Sequence, residues 1–238
     1  MIHSATRQWT VPGTVPGTVA TAASFRTAGT GDVVADRGRG KRVLDVTIAV
    51  IALVLVLPAM ACIALLVWMH DRHSPFFAQQ RIGRGGAMFA CLKFRTMVAD
   101  SERVLQEHLA AHPEAMAEWV ETRKLRDDPR ITPIGRFLRK SSLDELPQLF
   151  NVIAGTMSVV GPRPIVVDEI SRYGRYFHHY CSLRPGITGL WQVSGRNDVS
   201  YRRRVVLDYV YSRSKSVPLD LLIMSRTVPS VLLRRGSY

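Results

Sequence analysis

Two adjacent carboxylates, Asp144 and Glu145, lie in the run Ser141-Ser142-Leu143-Asp144-Glu145-Leu146-Pro147-Gln148-Leu149-Phe150-Asn151-Val152. Arg136, Arg139 and Lys140 precede them, and Gly161-Pro162-Arg163-Pro164 follows. A carboxylate among cations at the start of a helix suits phosphate chemistry, because the free N–H groups of a first turn and the helix dipole favour negative charge there. Such a carboxylate stays ionised at neutral pH and can attack phosphorus. The same residues have a plainer reading. Ser142 and Glu145 stand at capping-box spacing, and Pro147 is tolerated only near a first turn, so Asp144 also fits a cap on a helix beginning around 142–144.

Other polar positions carry the same two readings. Prolines on both sides of Arg163 fix the backbone and pre-position a guanidinium suited to bidentate phosphate contact; a structural turn is the alternative. Gly and Pro punctuate the segment holding Arg184, Trp191, Gln192, Arg196 and Asn197, which reads either as a ligand-binding loop or as a loop alone. Gly83-Arg84-Gly85-Gly86 is better explained as a hairpin turn than as a phosphate loop, since no Walker lysine or helix start follows.

The elements that must position these groups are mostly helical. Residues 76–81 and 87–95 predict a β-hairpin. Residues 99–125 predict an amphipathic helix broken or bent at Pro113, 134–139 a second helix, and the tail from Tyr201 a third. Asp127-Asp128-Pro129-Arg130 reads as a turn, and 158–164 as an extended segment ending in a rigid loop. From Thr47 to Met69 there is no charged residue, which is bilayer-spanning length. Pro58 lies at its centre, and cations flank both ends: Lys41 and Arg42, then His70, Arg72 and His73. That pattern fits a helix-break-helix entering and leaving by one face, or a kinked spanning helix. Asp45 reads as an interfacial carboxylate paired with Arg42, or as a tether that holds the entry geometry.

The whole-chain numbers agree with anionic partners. The 238 residues carry 32 Lys+Arg against 19 Asp+Glu, a formal net charge of +13. Three cysteines at unpaired spacing give neither a disulfide framework nor a zinc pattern. Residues 1–40, with the echo Val11-Pro12-Gly13-Thr14 and Val15-Pro16-Gly17-Thr18, are expected to form a disordered leader. Residues 41–73 are then the membrane helix and 74–238 the catalytic domain. The fold class expected is α+β, mostly helical: a single membrane-anchored domain with a re-entrant helix-break-helix, amphipathic interfacial helices and a small β-hairpin.

Taken in order, these motifs resemble the bacterial sugar transferases, the monotopic phosphoglycosyl transferases that use polyprenyl phosphate. The resemblance covers about residues 41–235. It runs through Lys41-Arg42 with Asp45, Pro58, Phe77, Gln79, Arg81, Gly83 and Gly86, then Lys93-Phe94-Arg95-Thr96-Met97. It continues through Asp128-Pro129-Arg130, Gly135-Arg136, Arg139, the 142–149 run, Gly161-Pro162-Arg163-Pro164, Arg184-Pro185-Gly186-Ile187-Thr188-Gly189 and Gly195-Arg196-Asn197. The ordered set outweighs the cap-only reading of Asp144. The resemblance implies transfer of hexose-1-phosphate from a UDP-hexose, galactose or glucose, to undecaprenyl phosphate with release of UMP, beginning a lipid-linked exopolysaccharide or O-antigen unit. It implies Asp144 as a nucleophile that forms a phospho-sugar ester. Glu145 would assist proton handling or, with Asp144, hold Mg²⁺. Arg139, Arg163, Lys93, Arg95, Arg184 and Arg196 would contact phosphates or substrate. It places the domain among inner-membrane lipids on the cytoplasmic face. Larger relatives carry further N-terminal membrane helices, so this chain is expected to be a minimal catalytic form. The block Arg202-Arg203-Arg204 departs from the family and bears on the sugar rather than the chemistry.

Two rivals come from other classes. A non-enzymatic basic membrane adaptor would leave Asp144 replaceable. A nucleic-acid binder is suggested by charge alone, without helix-turn-helix, zinc or RNP signatures, and no nucleic-acid partner is expected.

Overall fold

The computed structural model describes residues 39–122, 124–195 and 199–232. Most of the leader, Arg196, Asn197 and the Arg234-Arg235 pair lie outside the described residues. The domain is mostly helical, with two small two-stranded sheets and one long apolar helix.

That helix, α1 (Arg39–Asp71), is 33 residues long and roughly 50 Å end to end. It is helical straight through Pro58, so the secondary structure has no break where one was expected. The proline removes one amide donor. Packing on both sides of it holds the helix: Leu53, Val56, Met60, Ile63 and Ala64 join a cluster with Phe94 and Leu138. Its other faces are apolar and exposed, with Val54 at 67% and Leu55 at 75%, a pattern water does not reward. Asp45 ties the start of α1 to Ser158 and Val159. Its carboxylate accepts from Ser158 Oγ at 2.8 Å and from Val159 N at 3.1 Å, and Lys41 Nζ stands 3.5 Å away. The expected pairing with Arg42 does not form; Arg42 donates to the carbonyls of Val152 and Ile153. At the other end Asp71 accepts both terminal nitrogens of Arg95.

The hairpin forms as expected, β1 (Phe76–Ile82) antiparallel to β2 (Met88–Phe94) with Phe76 opposite Phe94 and Ile82 opposite Met88. Gly85 (φ 71°) and Gly86 (φ 79°) turn it through left-handed backbone that suits glycine. The 99–125 segment breaks in two, α2 (Ser101–Ala111) and α3 (Pro113–Thr122). His112 is extended because the following proline excludes the helical region, while Pro113 is tolerated at the first helical position. Asp128 closes its turn by accepting from Arg130 N, Nε and Nη2. Helix α4 (Pro133–Ser141) starts on Thr132, whose hydroxyl accepts from Gly135 N at 2.9 Å.

The capping box expected at Ser142 and Glu145 is absent. Ser142 is left-handed (φ 57°) and ends α4. Leu143–Glu145 is one turn of 3₁₀ helix, and α5 (Gln148–Ala154) begins only after Pro147. Asp144 therefore caps no helix, and no regular helix dipole supports its charge. Beyond α5, β3 (Ser158–Val160) pairs in parallel with β4 (Gly186–Thr188), the second sheet, whose pairing the sequence did not reveal. Glycines make that approach possible. A Cβ on Gly161 would stand 2.4 Å from Arg184 O, and one on Gly186 would stand 2.1 Å from Gly161 N. Short helices α6 (Ile170–Tyr173), α7 (Phe177–Cys181) and α8 (Leu190–Val193) lead to α9 (Tyr201–Ser214) and α10 (Val217–Leu232).

Candidate active site

Strand β2, the end of α4, the 3₁₀ turn, the Gly161-Pro162-Arg163-Pro164 loop and α8 together wall a cavity of about 650 Å³. Lys93, Arg95, Thr96, Arg139, Ser142, Asp144, Glu145, Arg163, Trp191 and Gln192 line it. Its centre is an ion cluster: Lys93 Nζ stands 2.7 Å from Glu145 Oε1 and 3.5 Å from Asp144 Oδ2.

The electrostatics of Asp144 run opposite to the sequence expectation. The residue is 8% exposed, and burial pushes its carboxyl above the ordinary carboxylate value; Lys93 and Arg139 pull the other way, and Glu145 adds to the rise. Burial also works against the Lys93 ammonium, but Glu145 and Asp144 outweigh it, and Lys93 is held above its usual value. Lys93 is thus the fixed positive partner of both carboxylates. Arg139 is anchored by Nε donation to Thr96 Oγ1 at 2.8 Å, and burial draws it below its usual value against the pull of Asp144.

The expected arginines divide. Arg139 and Arg163 both face the cavity. Arg163 is exposed and stands 5.9 Å over the Trp191 ring, whose other guanidinium neighbour is Arg204 at 4.6 Å. Arg204 and Arg81 are each drawn down first by burial and then by the charge of Arg163, so positive charge converges here. Arg95 lines the cavity, but its guanidinium is engaged by Asp71 and by Ser74 O. Arg184 is placed elsewhere: it donates to Gly155 O at 2.9 Å, beside Lys41, Arg42 and Asp45. Arg204, in the block that departs from the family, is not among the site residues the sequence points to, yet it stands over Trp191. Its signal is helical spacing: Arg204 lies four residues before Asp208 and one before Val205, both buried in α9.

Among the described residues no group of three His, Cys, Asp or Glu could by itself hold a metal ion. Asp144 and Glu145 offer oxygen donors only. That set fits Mg²⁺, which commonly takes one or two carboxylates and fills its remaining positions with substrate phosphate and water.

A domain with one helix long and apolar enough to cross a membrane, and a buried carboxylate set among Lys93, Arg139 and Arg163, has the equipment for phosphoryl chemistry. The bacterial sugar transferase family matches residues 37–234, and the chain belongs to that family and is an enzyme of that class. It is 50% identical over 219 residues to the exopolysaccharide production protein ExoY of Sinorhizobium fredii, across 92% of this chain and 97% of that protein. It is 48% identical over 201 residues to the undecaprenyl-phosphate galactose phosphotransferase of Salmonella typhimurium, across 83% of this chain and 41% of that protein. Against the UDP-glucose:undecaprenyl-phosphate glucose-1-phosphate transferase of Escherichia coli, identity is 35% over 207 residues, again 83% of this chain and 41% of that protein.

Proposed function

We propose that this enzyme transfers hexose-1-phosphate from a UDP-hexose to undecaprenyl phosphate, initiating a lipid-linked exopolysaccharide or O-antigen unit. The observation that carries the reading is Asp144, buried in a cavity walled by Lys93, Arg139 and Arg163. The relatives named for galactose are 42–49% identical and those named for glucose 35–39%, which favours galactose.

In the first displacement an Asp144 oxygen attacks the sugar-bearing phosphorus. The bond from that phosphorus to the bridging oxygen breaks, and UMP leaves with the electron pair. In the second, an oxygen of the acceptor phosphate attacks the same phosphorus, and the aspartyl ester bond breaks to restore the carboxylate. Lys93 holds both carboxylates in place and balances the charge that returns to Asp144. Arg139 and Arg163 orient the diphosphate and meet the charge that builds on its oxygens. Glu145 receives a proton when the acceptor phosphate arrives protonated. When bound, Mg²⁺ would neutralise the diphosphate and stabilise the departing UMP; Glu145, with Asp144, would hold it.

Helix α1 is then the membrane element. Its two ends are fastened to one body, Lys41 and Asp45 to Asp220 and Ser158, and Asp71 to Arg95. That supports entry and exit by one face, with the catalytic domain cytoplasmic. The test is incubation of membranes holding the protein with undecaprenyl phosphate and a panel of UDP-sugars. UMP release with a single UDP-hexose, and labelled sugar phosphate retained on the protein when acceptor is withheld, are expected. No UMP release with any sugar would overturn the reading, and the membrane-adaptor alternative would then stand.

A further inference from the structure

Behind the Asp144–Glu145 turn lies a second cavity, of about 280 Å³. It is chemically unlike the first. Ala52 and Val56 of α1 form one wall, one helical turn apart, and Leu146, Ile187 and Val193 form much of the rest. No lysine or arginine lines it, whereas Lys93, Arg95, Arg139 and Arg163 all line the catalytic cavity. Three residues belong to both: Ser142, Glu145 and Gln192. The two spaces therefore meet at the ion cluster, one cationic and the other apolar, and the apolar one reaches α1, the helix long and apolar enough to cross a membrane.

We propose that this second cavity is the subsite for the polyisoprenoid chain of the acceptor, holding the isoprene units next to its phosphate. The proposal rests on the function proposed above and adds where the lipid lies. An amphiphile whose phosphate must reach Asp144 has its chain attached within a bond or two of that phosphate. The chain must leave the cationic cavity at once, because it gains nothing there. The only apolar exit among the described cavities opens beside Glu145 and runs to Ala52 and Val56 on α1, where the rest of the chain passes into the bilayer. A phosphate is unsuited to the same space, since Glu145 stands at its mouth and no cation lines it. Continuity with the catalytic cavity and with α1 thus favours one occupant, and the apolar walls supply affinity through burial of its methyl and methylene groups.

Two substitutions shrink the cavity from opposite walls, Val193→Phe and Ala52→Leu. Neither residue lines the catalytic cavity. The first displacement needs no acceptor and is read by exchange of labelled UMP into UDP-hexose. Exchange within twofold of wild type is expected, together with a tenfold or greater rise in KM for undecaprenyl phosphate and an unchanged kcat at saturating acceptor. A diazirine analogue of leucine at position 193, close to valine in size, gives a photo-cross-linking readout that leaves the cavity open. It should cross-link undecaprenyl phosphate, and geranyl phosphate should compete while phosphatidylglycerol should not. Unchanged KM in both variants, exchange falling in step with turnover, or competition by the phospholipid would each overturn the subsite. Absence of UMP exchange in the wild-type enzyme would instead overturn the function on which it rests.

Discussion

At the scale of single residues, the site depends on one lysine more than on any arginine. Lys93 reaches Glu145 and Asp144 together, and without it two carboxylates would share a buried turn with no cation between them. Lys93→Met should lower kcat/KM for UDP-hexose by about a hundredfold, the upper end for losing a charge-assisted contact worth about 1.5–3 kcal/mol. It should also move the acidic limb of the pH–rate profile upward, because Asp144 is already raised by burial and would lose its largest opposing charge. An unmoved limb in pH-resolved UMP release would refute that role. Arg139→Lys should cost roughly ten- to a hundredfold, since a lysine keeps the charge but cannot hold Thr96 and a phosphate in one planar fork. Arg202→Lys, on the exposed face of α9, should be near neutral in the same assay. Asp144 and Glu145 were legible in the sequence as a pair, but their environment was not. The residues read as a cap form a 3₁₀ turn, because Ser142 adopts a left-handed conformation that nothing in its type announces. Lys93 emerged only through the family resemblance. Its physical signal was present in strand alternation: Phe89, Cys91 and Lys93 share one face of β2, the first two are buried, and a lysine on a buried face needs an acid.

At the scale of elements, sequence reading succeeded where local rules decide and failed where contact is long-range. The hairpin, the break at Pro113 and the turn at Asp128 follow from glycine turns, pre-proline restriction and Asp–Arg pairing within two residues. The β3–β4 pairing joins segments far apart in sequence, each too short to carry a period. Its signature is steric: Gly161→Ala would press a methyl to 2.4 Å from Arg184 O. That variant should lose about 2 kcal/mol or more in thermal or denaturant unfolding, while Gly40→Ala, which meets nothing within 4 Å, should not. Helix α9 is fastened to α6 by Tyr173, whose hydroxyl donates to Asp208 Oδ2 at 2.7 Å. Burial pushes Asp208 up to about 7, with Tyr173 and Arg163 opposing. The folded state therefore binds this proton more tightly than the unfolded chain does. The stability it contributes is complete below the ordinary carboxylate value of 3.8 and is lost as pH rises through about 7. Wild-type melting temperature should fall between pH 5 and pH 8 more steeply than that of Asp208→Asn. Parallel slopes for the two proteins would show that Asp208 is ionised throughout.

At the scale of the whole molecule, the long helix and the catalytic body constrain each other. A helix of roughly 50 Å exceeds the roughly 30 Å hydrocarbon core, so length alone is compatible with spanning. The tethers argue otherwise. Lys41, Arg42 and Asp45 bind Asp220, the end of α5 and the start of β3, and Asp71 binds Arg95 at the end of β2. Both ends thus grip one polar body, which would have to lie within the bilayer if they stood on opposite faces. Placing charged groups there is costly, so entry and exit by one face is the expected topology, with any bend in α1 at Pro58. In a cysteine-free background, single cysteines at Gly40 and at Ser74 should both resist a membrane-impermeant maleimide in intact cells and both react after permeabilisation. Breaking the tethers should release the constraint: with Asp45→Ala and Asp71→Ala combined, the apolar length is free to cross, and one of the two positions should become reactive from outside. Labelling of only one position in the tethered protein would establish a spanning helix, and the geometry of the ion pairs would then have misled.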